Sequence, residues 1–516
     1  MKAFLMYRDR DFDLQQELPW NEQALTQDLE LGTLLHAMAG DDEFLFDVAR
    51  KALLSGLCND IDTILYRQDT VKDCLKNPAV VRELYNLTVE TIVGTRKYGW
   101  GITGHFPSSM LYSSIDLLES MLGMLRKLRG IAEKQVSQFE SEAFTSLFAM
   151  LRKELDDEYL ASVQNHLTEL KFRKGVLLSA ELGEFDESTN YVLRQSRDKE
   201  LTWFQRILGK RPPGYTFHLA ERDQAGAEIL STMRQRGITR VAIALAQSAD
   251  HVLSFFKMLR TELAFYVGCI NLHSRLVGKQ EPVSFPVPTP AGTRKHNFTG
   301  LYDLCLSIQM ETRLVGNSAD ADGKSLTIIT GANQGGKSSF LRGIGLAQMM
   351  MQCGMFVGAE AFEAELCRTL ITHYKREEDA KMKSGKFDEE LARMSDIVDH
   401  IAGNSILLFN ESFAATNDRE GSEIARQIVC GLLEKHIKIF YVTHLYEFAS
   451  RFFDRKTEDA LFLRAERKPD GTRTFKLLEG QPLETSYGED LYRQIFDLDS
   501  QIQNSQTTSE NSVIVD

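Results

Sequence analysis

The run Gly331-Ala332-Asn333-Gln334-Gly335-Gly336-Lys337-Ser338-Ser339 carries the sharpest chemical signal in this chain. It fits the pattern G-x-x-x-x-G-K-[ST], follows the β-branched segment Leu326-Thr327-Ile328-Ile329-Thr330, and precedes an apolar stretch. Strand, loop and helix in that order form the setting in which the pattern holds a triphosphate. Glycines let main-chain N–H groups close on phosphate oxygens, and the start of a helix adds a favourable dipole. The expected nucleotide-binding set is therefore Gly331, Ala332, Asn333, Gln334, Gly335, Gly336, Lys337, Ser338 and Ser339. Lys337 would neutralise the β- and γ-phosphates, and the Ser338 hydroxyl would take a Mg²⁺ position.

Two further segments complete the chemistry. The strand-like Ser405-Ile406-Leu407-Leu408-Phe409 ends in Asn410-Glu411, an apolar run closing on a metal and water station. Glu411 is placed to orient or deprotonate an attacking water. Asn410 stands where an acid is usual; it can accept from a metal-bound water but brings no negative charge, so weaker metal binding or slower turnover is expected. A third strand-like run, Ile437-Lys438-Ile439-Phe440-Tyr441-Val442-Thr443, leads into His444, read as a γ-phosphate contact. The expected catalytic residues are Glu411, His444 and Lys337, and the expected metal positions are Ser338 and Asn410. Taken singly, each has a plainer reading: a glycine turn, a surface carboxylate, a capped core histidine.

The order of these motifs resembles the MutS family of mismatch-repair ATPases. TGANQGGKSS resembles that family's TGPNMGGKST, with Ala332 for Pro and Gln334 for Met. LLFNESFAATNDREG resembles LLDEIGRGTSTYDG, which puts Glu411 on the catalytic acid and Thr416 on the family's threonine. YVTHLYEFA resembles ATHYHEL, and FKLLEGQPLETSYGEDLYRQI is similar to YKLxxGxxxxSYGIxVA through Gly480, Ser486, Tyr487 and Gly488. The likeness covers roughly residues 298–496 and is weaker upstream, where Leu65 to Val71 followed by helices resembles the family's core and lever region.

The resemblance implies an α/β P-loop NTPase domain of the ABC/MutS type at the C-terminal side, preceded by a mainly α-helical core and lever region. It implies ATP and Mg²⁺ as cofactors, and a homodimer whose two sites are each completed by a signature segment of the partner. Here that segment is 383–391, in which Phe387 and Glu390 match the pattern STFMxEM, the signature serine falls near Gly385, and Ser384 lies one position out. Asn317 lies where the family has a nucleotide-proximal strand. The resemblance further implies a short MutS-like chain without a mismatch-reading domain, acting on DNA.

These residues need elements to carry them. The 516 residues are 43% hydrophobic and 26% charged, enough apolar side chain to offset the entropy of ordering, which excludes a wholly disordered chain. With 60 Lys and Arg against 73 Asp and Glu, the net charge of −13 excludes a uniformly basic nucleic-acid wrapper but not a local basic patch. Seven cysteines without a C-x-x-C pair argue against a zinc site or a disulfide framework. No secretory or membrane-spanning segment is recognised, and a cytoplasmic location is expected.

Apolar residues recur at helical spacing through the first ~300 residues. Residues 131–173 are almost free of Gly and Pro and read as one helix of roughly 60 Å or as two broken near Asp156-Asp157. Strand-like runs follow at 175–183 and 191–194, with a possible third at 215–219. Arg194, Arg197, Lys199, Arg206, Lys210 and Arg211, interleaved with Trp203 and Phe204, suit either a phosphate backbone or a solvated helix face. The expected domains are a helical core region over 1–130, lever-like helices over 131–281 with a small β-containing insertion near 174–219, the ATPase over 291–500, and a flexible tail over 501–516.

The function expected from these readings is an ATP-hydrolysing, nucleotide-switched dimeric clamp on DNA in repair or recombination. The alternative is a nucleotide-gated scaffold with weak hydrolysis and no direct DNA contact.

Overall fold

The computed structural model describes residues 1–55, 59–95, 97, 106–173, 175–183, 188–194, 218–376, 385–455, 458–468 and 470–483. They divide into two units that do not follow chain order. Met1–Phe4, Ala79–Glu140 and Phe144–Leu263 make the first, and Leu5–Pro78, Ser141–Ala143 and Ala264–Asp516 the second.

Helices α1 (Glu22–Asp28), α2 (Leu31–Ala39), α3 (Glu43–Leu54) and α4 (Ile61–Lys76) open the chain. Asp42 and Asp60 start α3 and α4 by accepting two main-chain N–H groups each, as expected of carboxylates at a helix N-cap. Next come α5 (Pro78–Thr95), α6 (Pro107–Gln135), α7 (Glu142–Glu154) and α8 (Asp157–Leu170), the hairpin β1 (Leu177–Leu182) and β2 (Ser188–Arg194), and α9 (Gln224–Gly278).

Residues 131–173 are therefore not one helix. The break after α6 holds a short 3₁₀ turn and the buried Phe139, whose ring packs on Phe144 and Phe148. Asp156 then starts α8 by accepting from the Tyr159 N–H, and Arg129 of α6 binds the Leu155 carbonyl and the Asp157 carboxylate. The Asp156 cap and the packing of Phe139 thus outweigh helix propensity. Of the two readings, the pair broken near Asp156 is the observed one, with a further break after Gln135. The long element is α9, whose 55 residues span about 80 Å at the α-helical rise. In the first unit its apolar face packs Ile238, Ala242, Ala249 and Leu253 against Leu111, Ile115 and Leu118 of α6 and Leu167 of α8. Residue 215 and the aromatic–basic residues Arg197 to Arg211 lie outside the described residues, as do the tail and residues 486–488.

The second unit is mixed α/β. A four-stranded sheet of β3 (Val287–Thr289), β7 (Ala361–Glu365), β4 (His296–Leu301) and β5 (Asn317–Asp320) lies in the order 3-7-4-5. The larger sheet has six strands in the order 12-11-6-10-9-8: β6 (Leu326–Gly331), β8 (Leu370–Tyr374), β9 (Ile406–Asn410), β10 (Lys438–Val442), β11 (Ala460–Arg467) and β12 (Arg473–Glu479). All are parallel except β12, which pairs antiparallel with β11. Helices α10 (Leu304–Gln309), α11 (Lys337–Gln352), α12 (Lys386–His400), α13 (Asp418–Glu434) and α14 (Tyr446–Asp454) make the connections. Strands β6, β8 and β10 are buried along their whole length, as strands of a parallel sheet covered on both faces should be.

The first helices belong to this unit. Asn21 donates to the Leu370 carbonyl of the edge strand at 2.8 Å, Asp28 pairs with Arg376 at 2.6 Å, and Arg342 of α11 bridges Glu30 and Asp303. Among the described residues no helix is long and apolar enough to cross a membrane.

Candidate functional site

Register brings the singled-out residues to one edge. Ile329 of β6 pairs with Val442 of β10, Val442 with Asn410 of β9, and Asn410 with Tyr374 of β8. The loops after these strands leave the same carboxyl end. β11 lies on the other side of β6, so the strand order reverses there, the place where open α/β sheets hold ligands.

The loop from Gly331 to Lys337 turns through left-handed backbone at Gly331 (φ 111°), Gln334 (φ 57°) and Gly336 (φ 83°). A Cβ on Gly331 would sit 2.8 Å from the Ala465 nitrogen, and one on Gly335 would sit 2.6 Å from the Ala465 Cβ. Gly336 begins α11 with no side-chain cap, which leaves the first amides of the helix open to an anion. Lys337 is buried, and its Nζ donates to the carbonyls of Gly331 (2.9 Å) and Ala332 (2.8 Å). Burial pushes its pKa down to about 8, opposed by the Glu411 charge and reinforced by Arg473.

The Ser338 hydroxyl donates to Asn410 Oδ1 at 3.0 Å, so the two expected metal positions are neighbours. A pair of neutral oxygens suits a hard cation that keeps several waters and takes phosphate oxygens as further ligands, which is the habit of Mg²⁺. Among the described residues no group of three or more His, Cys, Asp or Glu is placed to cage an ion. The donor set fits Mg²⁺ carried in with a nucleotide.

Glu411 follows β9 with φ 54°, and its N–H donates to the Val442 carbonyl at 2.9 Å. His444 Nε2 donates to Glu411 Oε1 at 3.0 Å, since an ionised carboxylate can only accept. That bond, followed by the charges of Lys375 and Lys337, holds the Glu411 carboxyl below the usual range against the opposing effect of burial. The sequence reading aimed His444 at a phosphate; the structure gives its Nε2 a carboxylate partner in the same chain. Thr416 donates to Glu420 at 2.9 Å, just ahead of α13, which Asn417 caps.

Several residues at this edge were not singled out from sequence. Arg473 of β12 donates through Nε to the Asn333 carbonyl at 2.7 Å and so braces the loop beside Lys337. A cavity of about 410 Å³ adjoins the loop at Gln334, Gly336 and Ser339 and is lined by Tyr302, Leu314, Val315 and Phe475. Asn317 also lines it, but its amide is spent on strand β12: it donates to the Phe475 carbonyl (3.1 Å) and accepts from the Leu477 N–H (2.7 Å). The signal available beforehand was Phe475, the aromatic at the head of the FKLLEG run. Of the signature segment, Gly385 starts α12, Phe387 is half-buried and Glu390 buried, while residues 383 and 384 lie outside the described residues.

Comparison with known proteins places this geometry in context. The family model for the MutS2 N-terminal domain matches residues 59–279, and that for MutS domain V matches residues 327–510. A DNA mismatch repair protein MutS of Leuconostoc citreum is 26% identical over 244 residues, 46% of this chain and 28% of that protein. MutS protein homolog 4 of Mus musculus is 28% identical over 203 residues, covering 37% of this chain and 20% of its own length. An endonuclease MutS2 of Geobacillus kaustophilus is 30% identical over 175 residues, 33% of this chain and 22% of that protein. The chain thus spans less than a third of the length of each of these relatives. With one model on the helical residues and a second on the residues that build the loop, the acid and the histidine, the chain belongs to the MutS family.

Proposed function

We propose that the chain is a Mg²⁺-dependent ATPase that uses nucleotide binding and hydrolysis to switch a homodimer on DNA, in repair or recombination. The observation that carries this reading is the meeting, at one sheet edge, of an uncapped helix start, a buried lysine, a Ser338–Asn410 oxygen pair and an ionised Glu411 held by His444. The loop amides and Lys337 would hold the β- and γ-phosphates, and Lys337 would leave its two carbonyl partners to do so. The cavity between Tyr302 and Phe475 would take the base, with Phe475, half-exposed, as a stacking surface. Ser338 and Asn410 would hold Mg²⁺, which when bound supplies positive charge against the phosphates. Glu411, kept ionised and aimed by His444, would orient the attacking water and accept its proton. Differential affinity of ATP for two shapes of the dimer would supply the switch.

A second reading is favoured by Asn410 itself. A neutral amide at the metal station lowers the charge available to Mg²⁺ and suits a nucleotide-gated scaffold with slow hydrolysis and no DNA contact. Two measurements on the purified chain separate the readings. Phosphate release from MgATP together with DNA retention on filters that falls steeply with salt supports the clamp. ATP binding without DNA retention at ~50 mM salt supports the scaffold. Absence of ATP binding at millimolar nucleotide with Mg²⁺ removes both.

A further inference from the structure

The turn behind Glu411 is held in a way that the nucleotide chemistry does not require. Glu411 (φ 54°) and Phe413 (φ 62°) both carry left-handed backbone without being glycine. The MutS-family run quoted above has glycine at the position of Phe413. Such backbone persists only where its surroundings over-determine it.

Here each residue of the turn is tied down. The Glu411 N–H donates to Val442 O, the Tyr441 hydroxyl donates to Ser412 O at 2.9 Å, and the buried Phe413 N–H donates to Glu390 Oε2 at 2.9 Å. Ser412 Oγ lies 2.7 Å from His373 Nδ1 and 2.6 Å from His373 O. The imidazole is kept neutral by burial, and a carbonyl can only accept, so Nε2–H donates to the Glu390 carbonyl at 3.1 Å; the single Ser412 hydroxyl hydrogen points to the His373 carbonyl and is shared with Nδ1. The His373 ring also stacks on Phe413, with centroids 5.3 Å apart. From the other side α13 presses close: a Cβ on Gly421 would lie 2.3 Å from the Phe413 carbonyl oxygen.

Glu390 is therefore bound to the turn twice, through its carboxylate and through its carbonyl by way of His373. It sits in the first turns of α12 and is 3% exposed. We propose that Glu390 is a positioning residue: its carboxylate fixes the turn that aims Glu411 in the same chain, so Glu390 sets the rate of hydrolysis without itself contributing to nucleotide affinity. This rests on the reading of Glu411 as the group that orients the attacking water. Removing the carboxylate leaves the Phe413 N–H buried without an acceptor, and the turn then relaxes toward right-handed backbone and carries Glu411 away from its aim.

The test is steady-state ATP hydrolysis by the full chain, with equilibrium binding of a non-hydrolysable ATP analogue measured in parallel. Glu390→Gln keeps an amide oxygen in reach of Phe413 N–H and is expected to stay within about 3-fold of the parent kcat. Glu390→Asp, one methylene short, and Glu390→Ala are expected to lose kcat by roughly 10- to 100-fold, the effect of about 1 Å of misplacement, with KM and analogue affinity nearly unchanged. Should the alanine variant fail to fold, the aspartate and glutamine pair carries the decision. Parent-like kcat in Glu390→Asp overturns the proposal, as does a joint fall of kcat and analogue affinity in all three variants. Glu411→Gln is run alongside: if it turns over ATP like the parent, the reading of Glu411 fails on its own account, whatever the Glu390 variants do.

Discussion

Two turns lie side by side at the carboxyl edge of the large sheet and solve opposite problems. The loop from Gly331 to Lys337 adopts left-handed backbone mostly at glycine, and the helix start behind it has no side-chain cap. The turn from Glu411 to Phe413 adopts the same backbone at non-glycine residues and is braced by His373, Glu390 and Tyr441. On the proposed reading, the first turn receives an anion on helix amides that no side chain caps, while the second aims one carboxylate and is held by hydrogen bonds to each of its residues. Glycine absorbs strain cheaply in the first case; buried side chains offset it in the second.

The comparison can be broken at several points. The largest effect is expected at the aimed turn: Glu411→Gln should slow phosphate release roughly 10²- to 10⁴-fold while ATP still binds, so unchanged turnover would remove the distinction between the two turns. Next comes the receiving loop, where Lys337→Ala should weaken ATP binding on the order of 10²-fold by calorimetry. The sign of its proton linkage also follows. Free Lys337 titrates at about 8, and a triphosphate beside it favours the charged form. ATP binding should therefore take up protons near and above pH 8, visible as a calorimetric heat that changes with the buffer's ionisation enthalpy; a heat independent of buffer contradicts it.

Smaller effects sharpen the contrast. Gly335→Ala puts a methyl group against Ala465 and the Ala332 carbonyl, and should lower stability by about 1–3 kcal/mol in denaturant unfolding. A parent-like midpoint would show that the loop yields more than its packing implies. The braced turn should respond to acid instead. Burial lowers His373 to about 4, and it pushes His296, whose ring nitrogens have no hydrogen-bond partner among the described residues, in the same direction. Between pH 6.5 and about 4 the unfolded chain then binds more protons than the folded one. Stability should fall as pH drops through that window, by up to about 1.4 kcal/mol per unit for each histidine. Melting temperatures that do not change from pH 7 to pH 5 would count against the buried, neutral imidazoles.

Much of the receiving loop was legible beforehand because its chemistry is local. Glycine, lysine and serine at fixed offsets behind a β-branched strand need no distant residue to be recognised. Glu411 and His444 were legible for the same reason, each standing at the end of an apolar run. Glu390 could be matched by resemblance but not given a task, because its partner lies 23 positions away and is a main-chain N–H that any residue type supplies. Arg473 was invisible, since its contact is the Asn333 carbonyl across 140 positions. Residues 131–173 left one long helix and two shorter ones open, because propensity there is high throughout. The caps and packing that decided for the broken form are tertiary, and the 55-residue helix lies at 224–278, where it packs against α6 and α8.

The amino-acid sequence by itself determined the glycine-rich strand–loop–helix and the acid-bearing strand end, because both follow from residue types within a dozen positions of one another. The tertiary structure alone decided that residues 5–78 belong with the α/β unit, that Asn317 ties β5 to β12 rather than reaching outward, and that His444 turns to Glu411. Each of those depends on which strands lie adjacent and in what register. Adjacency is settled by burying apolar surface across the whole sheet, a sum over distant residues that no short stretch of chain contains.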